Sequence, residues 1–329
     1  MSHEHHVHDA HCGHDHDEED HSHADHDHDH SHDPRDELVT VRDLVRYATS
    51  RFNREGLFFG HGSSNAFDEA VYLVLHTLHL PLDKLEPFFD ACIPSDERAE
   101  VLAVIDARAE TRKPAAYLTG EAWLGAYRFR VDERVIVPRS FFAELLDTQF
   151  SPWVADPFAV HSALDLCTGS GCLAILMAHA FPNATVDAVD LSTDALELAG
   201  LNVSDYGLDE RIELVHSDVF SNLSGRHYDF ILSNPPYVTE EAMDELPDEY
   251  RHEPEMALAA GADGLDIVRR IFSGARQHLN PGGWLSVEVG HNRDLVEAAW
   301  PDLPLTWLTT AGHDDAVFLI QREAIPEKF

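Results

Sequence analysis

The feature that most constrains the fold of this chain is a regular alternation of strand-like and helix-like segments from about residue 162 onward. Apolar runs such as ALDLC at 163–167 predict buried strands, and the longer amphipathic runs between them predict helices. The predicted strands are 163–167, 185–190, 211–216, 228–234, 284–290, 305–310 and 315–321, and the predicted helices are 171–180, 193–205, 263–279 and 292–300. This alternation is typical of an α/β fold with a doubly wound, mostly parallel sheet that has helices on both faces. A short turn at Gly312 joins the last two of the seven strands, so we expect the last strand to run antiparallel.

The first part of the chain has a different pattern, in which apolar residues recur at helical spacing. Three helices are predicted there: one capped by Asp36, one at 66–79 and one at 96–111. Residues 35–114 are therefore expected to form a small helical domain.

Residues 115–138 predict a β-hairpin that links the two domains. Apolar and charged residues alternate from 127 to 132, as in a half-buried strand. A turn after this strand would lead into a second strand at 135–137. We expect the α/β domain to occupy residues 139–329.

The N-terminal 34 residues form a tail of unusual composition. Residues 1–33 contain 13 of the 24 His and 11 acidic residues, with no Lys or Arg. A segment without apolar periodicity cannot bury a core, so we expect it to be disordered. Its imidazoles and carboxylates, with the thiol of Cys12 between His11 and His14, are ligands that Zn, Ni or Cu accept. The tail is thus either a weak divalent-metal binder or a solvated segment without a metal role, and we expect no metal site in the folded body.

Charge and hydropathy exclude several classes of protein. The chain of 329 residues carries 60 acidic against 23 basic residues, a formal net charge of -37. A chain of this charge lacks the basic face that nucleic-acid backbones and anionic membranes require. No run of 18 apolar residues, no apolar signal segment and only four Cys are present, so we expect a cytoplasmic protein. The acidic, Lys-poor composition fits either a salt-rich cytoplasm or compositional drift.

Candidate ligand-binding residues follow three successive predicted strands. They are Asp165, Cys167, Thr168, Gly169, Ser170 and Gly171 in the turn DLCTGSG, then Asp190 and Asp218. Glycines in a strand-to-helix turn let a ligand approach the backbone. An acidic residue at the end of the next strand typically accepts hydrogen bonds from ribose hydroxyls. Each acid taken alone could instead cap a helix. Together they predict a nucleoside site, whereas the absence of a Lys after the turn disfavours a triphosphate.

The sequence Asn234-Pro235-Pro236-Tyr237 ends the fourth predicted strand and indicates the chemistry. Prolines fix φ and leave neighbouring carbonyls without local donors. The side-chain oxygen of Asn234 and the carbonyl of Pro235 would then accept hydrogen bonds from the two N–H groups of one planar NH2 group. Tyr237 would pack against the flat face of that group. The alternative is a turn that the prolines merely stiffen.

These motifs resemble the class I S-adenosylmethionine-dependent methyltransferases, which have a Rossmann-like fold and here would modify a planar nitrogen. More closely, RKPAAYLTGEAWLGAYRFRVDERVIVPRS (112–140) and RHEPEMALAAGADGL (251–265) are similar to the protein N5-glutamine methyltransferases. The resemblance covers about residues 36–322. It implies S-adenosylmethionine as cofactor, bound by the turn at 165–171 and by Asp190, Asp218 and Asn234. It also implies a substrate-recognition role for the helical domain. It also implies methylation of a glutamine, either in large-subunit ribosomal protein three (uL3), which the motifs favour, or in the GGQ motif of peptide release factors.

The resemblance implies catalysis by orientation, without a catalytic acid or base. Asn234, Pro235, Pro236 and Tyr237 would hold the amide, and Glu253 is a candidate for positioning the substrate backbone. Two rivals remain at this point. A DNA or RNA base methyltransferase would also use NPPY, although the charge argues against it. A metal-binding protein with a methyltransferase-like body would have to bind metal tightly through its tail.

Overall fold

The computed structural model describes residues 33–311 and 313–327. The metal-ligand candidates His11, Cys12 and His14 lie outside these residues, as does Gly312. The chain divides into two compact units, Met1–Glu37 and Leu38–Phe329. In the first unit, the described residues form a short 3-10 helix at Pro34–Glu37, and Arg35 pairs with Asp33 at 2.7 Å.

The N-terminal part of the second unit is helical, as the sequence predicts. Its helices are α1 (Val41–Arg54), α2 (Ala66–Thr77), α3 (Ser95–Thr111) and α4 (Ala115–Thr119), with a 3-10 turn at Glu86–Phe88. The predicted cap at Asp36 is wrong. Thr40 caps α1, because its side chain accepts from the backbone N–H of Asp43 while the Asp43 carboxylate accepts from the Thr40 N–H.

The predicted hairpin exists, but its strands pair differently. Strand β1 (Glu121–Leu124) pairs antiparallel with β2 (Tyr127–Arg130) across a two-residue turn in which Gly125 has φ +60°. The predicted strand at 135–137 is wrong. The backbone of this segment forms hydrogen bonds with side chains and not with a neighbouring strand. For example, the Tyr117 hydroxyl donates to the Val135 carbonyl.

A seven-stranded sheet forms the centre of the molecule, and the predicted α/β class is confirmed. The strands are β3 (Ser162–Leu166), β4 (Thr185–Asp190), β5 (Ile212–His216), β6 (Tyr228–Ser233), β7 (Leu279–Glu288), β8 (Thr306–Thr310) and β9 (His313–Gln321). Their order is β5-β4-β3-β6-β7-β9-β8, and β9 pairs antiparallel with both of its neighbours. Because β3 lies beside both β4 and β6, the chain reverses direction across the sheet there, and the carboxyl ends of these strands border a crevice.

Helices cover both faces of the sheet. They are α5 (Phe142–Asp147), α6 (Cys172–Ala180), α7 (Thr193–Asp205), α9 (Asp266–His278) and α10 (Arg293–Ala299). Separate apolar clusters fill the two faces of the sheet. None of the described helices is long and apolar enough to cross a membrane.

The segment after the fourth sheet strand, for which the sequence pattern predicts neither a helix nor a strand before residue 263, contains structure of its own. It includes α8 (Glu240–Glu245) and 3-10 helices at Asp248–His252 and Glu255–Ala257. Strand β7 begins at Leu279, five residues before the predicted start, and an irregularity in its pairing with β6 accommodates the Pro-Gly-Gly run. The turn signal of this run therefore interrupts the pairing with β6, and the strand resumes its pairing at Trp284.

Candidate active site

A cleft with an empty volume of about 800 Å³ lies at the carboxyl ends of the central strands. We call it the first cleft. Cys167 and Gly169 after β3, Asp190 at the end of β4, Asp218 after β5 and Asn234 after β6 all line it. The rest of its wall is largely apolar and includes Val135, Ile136, Val189, Leu191, Val219 and Ile267. The topology thus brings together residues from four segments that are distant in sequence.

Asp190 is held rigidly at the edge of the first cleft. The Gly169 N–H donates to its Oδ2 at 2.8 Å, and the Ser192 N–H donates to its Oδ1 at 2.9 Å. Burial raises the pKa of Asp190, and these backbone N–H groups oppose the increase. The cap of α7 is Ser192, whose side chain accepts from the Ala195 N–H. The carboxylate therefore faces the cleft and is not itself the helix cap.

Only part of the glycine-rich turn reaches the cleft. Gly169 and Gly171 have φ of +55° and +78°, which favours glycine at both positions. A Cβ atom at Gly171 would lie 3.1 Å from Ala199 of α7, so this glycine serves helix packing. Asp165, Thr168, Ser170 and Gly171 do not line the cleft.

Asp165 supports the turn from beneath. Its Oδ2 accepts a hydrogen bond from the Thr168 hydroxyl at 2.6 Å. Burial raises the pKa of Asp165 to about 7, although that hydrogen bond opposes the shift. The residue therefore shapes the turn that carries Cys167 and Gly169.

Asp218 lies at a more open part of the first cleft. Its carboxylate is 2.7 Å from the guanidinium of Arg270 on α9, and both side chains are partly exposed. Arg270 also lines the cleft, although the sequence did not predict it as a site residue. Nothing in the local pattern of α9 distinguishes this arginine from its neighbours Arg269 and Arg276.

A second cleft, with an empty volume of about 1030 Å³, adjoins the first. Asn234 and Pro236 line both clefts, and Pro235 and Tyr237 line the second. The side-chain N–H of Asn234 lies 3.5 Å from the Arg139 carbonyl, which orients the amide. Among the described residues, none donates a hydrogen bond to the Asn234 Oδ1. An oxygen acceptor is therefore available where the two clefts meet.

Tyr237 is fixed by close packing. A Cβ atom at Gly290 would lie 2.6 Å from its ring, so only glycine allows the ring to lie there. Burial raises the pKa of Tyr237 above its ordinary value, so its hydroxyl stays protonated at neutral pH. The ring thus offers a neutral, flat surface to the second cleft.

Glu253 does not line either cleft, in contrast to the role in positioning the substrate that the sequence suggested. It is 5% exposed. Its Oε2 is 2.6 Å from Nη2 of Arg139, and its Oε1 accepts from the Val137 N–H at 2.9 Å. Burial raises the pKa of Glu253, but the hydrogen bonds from Arg139 and the positive charge of its guanidinium outweigh burial and hold it at about 2. Glu253 is therefore an anionic anchor for Arg139.

Arg139 and Tyr250 complete the wall of the second cleft. The guanidinium carbon of Arg139 lies 5.4 Å from the centre of the Tyr250 ring, within cation–π range. Neither residue has a role predicted from the sequence. The signal for Arg139 was its place in VPRS, one of the segments that carried the family resemblance.

Comparison with known proteins identifies the family. The methyltransferase small domain family matches residues 143–249. The ribosomal protein uL3 glutamine methyltransferase of Neisseria gonorrhoeae is 61% identical over 289 residues, which cover 88% of this chain and 96% of that protein. The chain belongs to the ribosomal protein uL3 glutamine methyltransferase family. The member from Burkholderia pseudomallei is 62% identical, and the match covers 87% of this chain and 96% of that protein. The member from Bradyrhizobium diazoefficiens is 50% identical, and the match covers 87% of this chain and 92% of that protein.

S-adenosylmethionine is the methyl donor of this family, and the first cleft fits it. The cleft has largely apolar walls and a fixed carboxylate at the end of β4, a combination typical of small-molecule sites. Open space above Gly169, where a Cβ atom would meet nothing within 4 Å, leaves room for a ligand near the backbone. Within residues 33–311 and 313–327, no group of three or more His, Cys, Asp or Glu is placed to hold a metal ion.

Proposed function

We propose that this protein transfers a methyl group from S-adenosylmethionine to the side-chain amide nitrogen of a glutamine in ribosomal protein uL3. The high identity to relatives named for this activity supports the substrate. The observation that carries the chemistry is that Asn234 and Pro236 line both clefts. A donor in the first cleft and an amide in the second would meet at these residues. We also propose that the reaction takes place in the cytoplasm, which a ribosomal-protein substrate supports.

The first cleft would hold the cofactor through a small number of polar contacts. When bound, the cofactor supplies a methyl group on a positively charged sulfur. Asp190 would accept hydrogen bonds from the ribose hydroxyls, and its two backbone N–H partners keep the carboxylate oriented. Asp218, paired with Arg270, would meet polar atoms farther along the cleft. The apolar side chains around them would enclose the base.

The second cleft would orient the accepting amide. An amide nitrogen is a weak nucleophile because its lone pair is delocalised into the carbonyl group. The Oδ1 of Asn234 and the carbonyl of Pro235 would accept its two N–H bonds and direct the nitrogen toward the first cleft. Such orientation contributes up to about 7–11 kcal/mol to lowering a barrier. The nitrogen is neutral at pH 7, so no base is needed before attack, and the surplus proton leaves to water.

The helical part of the chain would bind the protein substrate. Tyr250 lines the second cleft and packs on His61, with ring centres 4.5 Å apart, and on Phe58, 5.7 Å apart. Both partners lie between α1 and α2. The helices therefore border the site where the glutamine would enter, which supports a substrate-recognition domain at 35–114.

The decisive experiment is a product analysis. The full-length enzyme is incubated with labelled S-adenosylmethionine and, separately, with purified uL3, a release factor and duplex DNA, and mass spectrometry locates the methyl group. We expect one glutamine of uL3 to be methylated, and a uL3 variant with Glu at that position to remain unlabelled. If only the release factor is labelled, the proposed reaction is correct but the proposed substrate is wrong. Label on a base, or on neither protein, would contradict the proposal.

A further inference from the structure

A third depression, outside the two clefts of the active site, lies between the helices and the hairpin. Its empty volume is about 490 Å³. Tyr72 of α2, Glu121 and Trp123 of β1, and His61 and Pro138 line it. We call it the Trp123 groove. Trp123 is 47% exposed although it is a large apolar residue, so its ring is available to a ligand.

His61 provides an independent sign that the groove takes a ligand. Its side chain is 2% exposed, and neither ring nitrogen has a hydrogen-bond partner among the described residues. A buried polar atom without a partner destabilises the protein unless a ligand or water satisfies it. Its Nε2 lies 3.7 Å from Oε1 of Glu253, which favours the tautomer with the proton on Nε2. Nδ1 is then an acceptor that lacks a donor.

The other polar and aromatic groups of the groove also suit a donor-rich cation. The Glu121 carboxylate is an acceptor with 15% of its side chain exposed. The carboxylate lies 3.3 Å from Arg128 and 3.5 Å from His76. Because the Arg128 side chain is 62% exposed, Arg128 can move aside or share the carboxylate with a ligand. Trp123 and Tyr72 add aromatic faces, which attract ammonium and guanidinium groups. The formal net charge of -37 attracts the same class of ligand.

The groove is separated from the second cleft by a thin wall. Pro138 lines the groove and the next residue, Arg139, lines the second cleft. On the other side of the wall, the His61 ring in the groove packs against the Tyr250 ring in the second cleft. Consecutive Cα atoms are about 3.8 Å apart, so a peptide crossing this wall needs only a few residues.

We propose that the Trp123 groove binds a lysine or arginine side chain of the protein substrate, a few residues from the accepting glutamine. This inference rests on the proposed function and names a contact that selects the substrate. The cation stacks on Trp123, pairs with Glu121 and donates to Nδ1 of His61. The groove therefore contributes to substrate affinity and not to the methyl-transfer step.

The test compares steady-state kinetics of full-length variants on uL3. Trp123→Ala and Glu121→Gln are expected to raise KM for uL3 about 10-fold, with kcat within about two-fold of the wild-type value. Phe158→Ala is the matched control, because Phe158 is 57% exposed and lies away from the groove and both clefts. Thermal melting of each variant verifies that it is folded.

Substrate variants identify the cation. Each lysine or arginine near the methylated glutamine of uL3 is replaced in turn by methionine. One replacement should raise KM about 10-fold for the wild-type enzyme and have little further effect for Glu121→Gln. If no single replacement matters, or if both groove variants behave like Phe158→Ala, the inference is wrong. A wild-type enzyme that does not methylate any glutamine of uL3 would instead contradict the proposed function.

Discussion

At the scale of single residues, Asn234 matters most because it belongs to both clefts. Its Oδ1 is available, and its amide N–H faces the Arg139 carbonyl. Truncation to alanine would remove one acceptor for the substrate amide while leaving the strand and the prolines in place. The effect should therefore fall mainly on turnover.

We expect Asn234→Ala to lower kcat by about 10²–10³, the cost typical of losing one well-placed polar contact in an active site. Cofactor affinity, measured by calorimetry, should change much less. The loss of kcat should persist at high salt, because it does not depend on long-range charge attraction. An equal loss of cofactor affinity would show that Asn234 acts mainly in the first cleft.

Asp190 tests the cofactor assignment separately. Replacing it with asparagine removes the charge and leaves one oxygen, which can accept from only one of the two neighbouring N–H groups. We expect Asp190→Asn to weaken S-adenosylmethionine binding by about 1–3 kcal/mol, the scale of charge-assisted hydrogen bonds. Calorimetry on the purified variant measures this directly. Unchanged affinity would mean that the carboxylate only orders the turn.

Glu288 gives a pH-dependent prediction. Burial raises its pKa from 4.5 to about 7, although hydrogen bonds from Ser140 and the Phe141 N–H oppose the shift. Because the folded state favours the protonated carboxyl group, Glu288 contributes its full stability at pH values below its unfolded-state pKa. This contribution is lost as the pH rises toward 7. Relative to wild type, Glu288→Gln should become more stable between about pH 5 and pH 8. Denaturant titrations across that range measure the difference, and a constant difference would contradict the prediction.

At the scale of elements, the 3-10 helix Asp248–His252 and the residue after it join the helices to the active site. The Glu249 carboxylate is buried among the helices, where it accepts from the Phe58 N–H at 3.0 Å and lies 3.4 Å from Arg108. Four residues on, Glu253 pairs with Arg139 at the second cleft. One short segment therefore fixes the position of Tyr250, which lies between these two anchors.

Removing the charge of Glu253 should loosen this attachment. We expect Glu253→Gln to lower the free energy of unfolding by about 3 kcal/mol at pH 7, near the lower end for a broken buried pair because Arg139 is partly exposed. The folded-state pKa of Glu253 is about 2, so its carboxylate stabilises the protein at pH values above the unfolded-state pKa of about 4.5. This stabilisation is lost as the pH falls toward 2. The difference between variant and wild type should therefore shrink as the pH falls from 5 to 2.

The matched control for this prediction is Glu255→Gln. Glu255 is exposed and lies two residues away, so its replacement should change stability by less than about 0.5 kcal/mol. Chemical denaturation of both variants provides the comparison. Equal stabilities would show that the pair with Arg139 contributes nothing net.

At the scale of the whole molecule, charge is unevenly distributed along the chain. Residues 34–329 still carry 26 more acidic than basic residues. An acidic enzyme would attract a basic ribosomal protein over some distance, and salt would weaken that attraction. The histidine-rich tail lies outside the described residues, so its role stays a prediction from composition.

We expect deletion of residues 1–33 to leave methyl transfer unchanged and to abolish most Zn or Ni binding. The deleted segment contains 13 of the 24 His, and the described residues that line the two clefts all follow residue 133. Metal titration by calorimetry and methylation of uL3 at fixed salt measure the two effects. Loss of catalysis would show that the tail takes part in the reaction or in substrate binding.

The sequence alone determined the α/β architecture and identified several of the residues that line the first cleft, among them Cys167, Asp190 and Asn234. Buried strands and helices have distinct local periods, and parallel strands necessarily bring their carboxyl ends to one edge of the sheet. Residues such as Asp190 and Asn234 could therefore be assigned to one site by their position after a strand. Local patterns were less reliable where a side chain decides the conformation, as at Thr40, which caps α1 in place of Asp36.

Only the tertiary structure decided what surrounds these residues. Arg139 and Glu253 are 114 positions apart, and Arg108 and Glu249 are 141 apart, so no local pattern connects them. The junction of the two clefts at Asn234 depends on how the segment after β6 folds back across the sheet edge. The Trp123 groove likewise exists only where α2, β1 and the chain before Arg139 pack together. Pairings of this kind are set by the packing of distant elements, which the periodicity of a sequence does not encode.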